Sequence, residues 1–142
     1  MLADDIVEQA ADAIIYANRE GMIDRWNAAA TTLFGFPAAE AIGQSLDLII
    51  PPALRDAHWR GWDAAMERGQ LRLNGKPTLT RGQHQDGRKL YVEMSFALVR
   101  GGDGAPCGSV AIARDVTERV EREKAARLTS AVTLLSGRSA HE

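Results

Sequence analysis

The chain is 142 residues long, which gives room for one domain of ordinary size and not for two. Hydrophobic residues make up 45% and charged residues 25%, a globular composition that argues against disorder. A formal net charge of −2 offers no basic face for DNA or RNA, and a single cysteine, Cys107, excludes an internal disulfide or a cysteine-based zinc site.

The first ten residues carry Asp4, Asp5 and Glu8 and no Lys or Arg, so no secretory signal is expected. No apolar run is long enough to span a bilayer, and the expected location is the cytoplasm. Leu2, Ile6, Val7 and Ala10 have the spacing of a short amphipathic helix. Ala13 to Ala17 reads as a buried strand and Met22 to Trp26 as its hairpin partner, with Gly21 in the turn. Asn27 is a natural N-cap for a helix over 28–34 that Gly35 ends. Pro37 opens a further helical turn that Gly43 stops. Pro51-Pro52 opens a longer helix that runs to about Arg68, with Gly69 beyond its end.

After Gly69 the pattern becomes extended. A strand is expected over 71–81, then a hairpin at Gln85-Asp86-Gly87-Arg88 with His84 exposed beside it. In the next strand, 89–100, Leu90, Val92, Met94, Phe96 and Leu98 share one face. Gly101 to Gly104 is a turn, and Gly108 to Ala113 is the last strand. From Val116 the chain is helical, and Ala125, Leu128, Val132 and Leu135 recur at a three-four spacing. These elements predict an α+β domain: a five-stranded antiparallel sheet, a central helical block over one face, and flanking N- and C-terminal helices. The expected division is a helix over 1–11, a sensor domain over 12–116, and a signalling or dimerisation helix and tail over 117–142. A sheet cupped by helices encloses a ligand cavity.

The order and spacing of Ile23-Asp24-Arg25-Trp26-Asn27, Leu33-Phe34-Gly35-Phe36, Glu40-Ala41-Ile42-Gly43-Gln44, Asp86-Gly87 and Ala113-Arg114-Asp115-Val116-Thr117 resemble the PAS domain family. The resemblance covers roughly residues 6–119 and implies a sensory or dimerising module. Members bind haem, flavins, metabolites or nothing. Within the long helix, Ile50-Pro51, Arg55 and His58 resemble the haem-ligating helix of oxygen-sensing PAS domains. That likeness implies haem b with His58 as the iron ligand, since a neutral imidazole on a rigid helix suits haem iron. It also implies Arg72 at the rim beside a propionate, with Arg68 as a weaker second cation. Met94 and Phe96 would form the distal wall, which Val110 and Ile112 would complete. Leu73 and Trp62 belong to the same predicted pocket. Met94 could also act as a sixth ligand.

The bland alternatives stand beside these roles. They are a half-buried helix His, a solvated strand Arg and ordinary core packing. The sequence departs from the haem branch at its distal positions, where Lys76 and Thr78 stand, so O2, CO and NO are equal candidates. A flavin is the competing cofactor, with Trp26 and Asn27 as possible borders of its ring. The helical block lacks the Asn-Cys-Arg-Phe motif of the photoactive flavin branch. No phosphate loop, nucleophile elbow or His-Glu-x-x-His motif points to an enzyme. Expected partners are a diatomic gas and a second copy, paired through the terminal helices.

Overall fold

The structure, a computed structural model, describes residues 1–71 and 75–141, with side chains described as far as residue 133. The elements in chain order are α1 (Leu2–Gln9), β1 (Ala13–Asn18), β2 (Ile23–Trp26), α2 (Ala28–Phe34), α3 (Ala38–Ala41), α4 (Arg55–Arg68), β3 (Thr78–Gln83), β4 (Lys89–Arg100), β5 (Pro106–Asp115) and α5 (Thr117–His141). Two 3-10 turns, Leu46–Ile49 and Pro52–Leu54, lead into α4. The five strands form one sheet in the order β2-β1-β5-β4-β3, and each neighbouring pair is antiparallel. The last strand in sequence thus lies at the centre of the sheet, between β1 and β4.

Asn27 explains why the chain turns from β2 into α2. Its side-chain oxygen accepts hydrogen bonds from Ala30 N (3.0 Å), which caps the helix, and from Ile14 N (2.9 Å) on the neighbouring strand. Its amide donates to Val7 O (2.8 Å) and Asp12 O (3.1 Å), which fixes the end of α1 to the same point. The residue is buried, the capping bond to Ala30 is buried with it, and the other three are partly buried. Gly35 ends α2 with φ +86°, and its missing side chain makes room for a ring: a Cβ there would lie 2.5 Å from His84 Cε1. His84 is therefore only 16% exposed, not open to solvent as its position beside a hairpin implied. Its Nδ1 accepts a hydrogen bond from the Asp86 backbone (3.2 Å).

The hydrophobic core lies between α2 and the sheet, with contributions from β1, β2, β4 and β5. Ile15, Ile23, Trp26, Phe34 and Val92 meet there, with Trp26 and Phe34 ring centroids 5.8 Å apart. Within the strand expected over 71–81, residues 72–74 lie outside the described residues and the described strand begins at Thr78. Gly75 has φ +80° and Pro77 brings no N–H to a ladder, so β3 begins at Thr78.

Candidate functional site

Between α4 and the sheet lies a cavity of about 460 Å³, within the range of roughly 300–1,000 Å³ usual for small-molecule sites. α4 presents His58, Gly61, Trp62, Ala65 and Met66 to it, positions that recur at the three-four spacing of one helix face. Opposite, β4 presents Val92, Met94, Phe96 and Leu98 at the period of two expected of a strand. Thr78 and Thr80 of β3, Ser109 and Ala111 of β5, and Ile15 and Ala17 of β1 complete the sheet wall. Leu46, Ile49, Ile50 and Leu54 close the end next to the 3-10 turns.

The structure places His58, Trp62, Met94 and Phe96 together around this space, as a shared pocket requires. Arg72 and Leu73 lie outside the described residues. Val110 and Ile112 are corrected. They sit on the opposite face of β5, and Ile112 is 44% exposed, while Ser109 and Ala111 take the inward positions. β5 runs through the middle of the sheet, where small inward side chains leave the cavity its depth. The larger β-branched residues are turned out. Arg68 sits at the end of α4 and donates to Gln70 O (3.2 Å). Arg81 reaches the cavity edge from β3, though the strand alternation puts its side chain on the outer face with Leu79. Trp26 and Asn27 do not border the cavity. The Trp26 indole N–H donates to Thr31 Oγ1 and Phe36 O, both at 3.0 Å, and Asn27 is committed to its four bonds.

His58 is half-buried, and its Nδ1 is the one buried side-chain nitrogen or oxygen among the described residues that has no hydrogen-bond partner. Burial pushes its pKa below 6.5, against an opposing pull from Asp47. The imidazole is therefore neutral at pH 7, the form that binds metal. Two rings flank it. Trp59 meets it edge-on with centroids 4.5 Å apart, and Trp62 lies tilted at 6.1 Å. Trp59 Nε1 donates to Asp47 Oδ1 (2.7 Å), and Trp62 Nε1 donates to Arg19 O (3.1 Å). Arg55 steadies the same turn by donating to Ile50 O and Asp47 O, each at 3.0 Å. No local spacing in the sequence announces the Trp59–Asp47 pair, because the partners are separated by a turn and a bend.

Among the described residues no group of three or more His, Cys, Asp or Glu is placed to hold a bare metal ion. Haem asks for less, because its ring supplies four nitrogens and the protein need add only one axial ligand. An apolar cavity with one neutral histidine on its wall fits that demand. Cys107 is elsewhere. It is half-buried beside Tyr16, whose hydroxyl donates to Cys107 O (3.2 Å) and lies 3.5 Å from its Sγ.

Residues 7–121 match the family model described as PAS fold. The chain is 28% identical over 127 residues to the oxygen sensor protein DosP of Escherichia coli strain K12. That match covers 89% of this chain and 16% of the sensor, so the chain corresponds to a small part of its relative. The PAS domain of a protein from Colwellia psychrerythraea superposes with a TM-score of 0.72 at 24% identity, covering 82% of this chain and 96% of that one. An RNA-binding Light-Oxygen-Voltage receptor superposes with a TM-score of 0.70 at 25% identity, covering 95% of this chain and 38% of that one.

Proposed function

The chain belongs to the PAS family and is a sensory domain, and on that footing we propose that it holds haem b through His58 and responds to a diatomic gas or to redox state. The observation that carries this reading is the His58 imidazole, kept neutral by burial on the wall of an apolar cavity. Bound haem supplies an iron that binds gas or changes oxidation state. His58 would hold the iron. Met94, Phe96, Leu98 and Ala111 would keep water from the opposite face. The likeness to an oxygen sensor supports the same reading, and O2, CO and NO are its candidate signals.

In this proposal the domain carries no catalysis of its own and works in the cytoplasm. Among the described residues no helix is long and apolar enough to cross a membrane. It pairs with a second copy through its terminal helices, where Leu2, Ile6, Leu128 and Val132 are exposed. A flavin is the second reading, favoured by the likeness to a Light-Oxygen-Voltage receptor. With Cys107 held at Tyr16 and away from the cavity, such a flavin would be non-covalent.

The deciding experiment is the visible spectrum of purified protein with and without added hemin. The haem reading expects a Soret band that His58→Ala abolishes or shifts. Protein that retains no hemin, or retains it unchanged without His58, overturns it. A yellow protein with a flavin spectrum transfers the assignment to the second reading.

A further inference from the structure

Metal-binding histidines ordinarily owe their orientation to an acceptor on the second ring nitrogen, which fixes the tautomer and the ring plane. His58 has no such acceptor at Nδ1. The nearest carboxylate that influences it, Asp47, is engaged elsewhere. Its Oδ1 takes the Trp59 indole N–H at 2.7 Å and lies 3.9 Å from Arg55 Nε.

The group packed against the imidazole is a ring. Trp59 meets His58 edge-to-face, at 4.5 Å and 81°, and Trp59 is itself clamped at two points. One is the hydrogen bond to Asp47. The other is the β1–β2 turn, where the indole presses so closely on Gly21 that a Cβ there would lie 2.3 Å from the ring. Trp62 backs this arrangement, 5.6 Å from Trp59 and bonded to Arg19 O in the same turn. We propose that Trp59 is the positioning residue for His58. Clamped between Gly21 and Asp47, it fixes the imidazole plane by ring contact, in place of a hydrogen bond. This rests on the reading of His58 as the residue that holds the cofactor, and it adds the group that aims it.

One readout needs no cofactor. In the wild-type protein the His58 ring protons should resonate away from free imidazole in the proton spectrum, displaced by the Trp59 ring current. Trp59→Met, which fills the space without a ring, should return them toward the free position, and Trp59→Phe should keep much of the displacement. Asp47→Ala, which frees the indole and removes the Asp47 charge, should broaden or move the same signals, and Asp47→Asn, which removes the same charge but keeps an acceptor for the indole, should restore them. The second readout is hemin affinity. Trp59→Met is expected to lose about 10–100-fold, as supporting groups around metal ligands do, with Trp59→Phe closer to wild type. Unchanged His58 signals in both Trp59→Met and Asp47→Ala overturn the proposal, whether or not hemin binds. If Trp59→Met does not fold, the Asp47 pair decides. If the wild type takes no hemin, the haem reading falls and the ring-proton comparison still judges Trp59.

Discussion

Protonation of His58 has to be weighed between two neighbours. The apolar wall opposes the charge, Asp47 favours it, and the wall prevails, so the folded pKa lies below 6.5. Unfolded protein therefore binds the proton more readily than folded protein as pH falls through 6.5. The stability from a neutral His58 is whole above 6.5 and declines below it, until the depressed folded pKa is reached. Urea midpoints of the ligand-free protein should fall between pH 7 and 5, and His58→Gln should flatten the part of that fall which His58 causes. The two tyrosines are driven apart. The hydrogen bond to Cys107, with burial, pushes Tyr16 up to about 12, while the hydrogen bonds from Lys124 and Lys89 pull Tyr91 below 10. Alkaline titration of phenolate absorbance should show two steps. Cys107→Ala should lower the upper step and Lys124→Ala should raise the lower one.

Among the elements, the β2–α2 junction depends most on a single side chain. Asn27→Ala removes a helix cap and leaves the amide of Ile14 and the carbonyls of Val7 and Asp12 without this partner in a partly buried place. The expected loss is about 2–4 kcal/mol of unfolding free energy, measured by denaturant titration. This junction was legible in the sequence because its chemistry is local: a cap, a short helix and a closing glycine. The inward face of β4 was legible for a similar reason, as Val92, Met94, Phe96 and Leu98 alternate without interruption. β5 misled because the usual rule is inverted there. Ser109, Ala111 and Ala113 face inward and Val110 and Ile112 outward, since a cavity floor needs small residues more than large ones. Nor could pattern alone find the clamp on His58, because Gly21, Asp47 and Trp59 meet only through the fold.

At the scale of the molecule, the inward face of the sheet both packs against α2 and lines the cavity under α4, with β1, β3, β4 and β5 all reaching that cavity. The packing against α2 holds the fold together. The space under α4 has room for a ligand. α5 joins this body through Val116 and Val120, which are buried, and through ion pairs such as Arg119–Glu93 (3.7 Å), which are exposed. Burial should outweigh charge here. Val120→Ala is expected to weaken the docking of the first turns of α5 by about 1–2 kcal/mol, and Arg119→Ala by about 0–1 kcal/mol. Hydrogen exchange of the amides from Val120 to Lys124 would rank the two.

β4 has Val92, Met94, Phe96 and Leu98 in the cavity, while the Tyr91 carbonyl accepts the Val116 N–H (2.9 Å) and the Thr117 hydroxyl at the root of α5. The same strand is thus both a cavity wall and the seat of α5. α5 has 25 residues, about 37 Å at 1.5 Å per residue. A tilt of about 5° at Thr117 would carry its far end about 3 Å. Filling or emptying the cavity would thereby become a movement that a second protein can read at a distance.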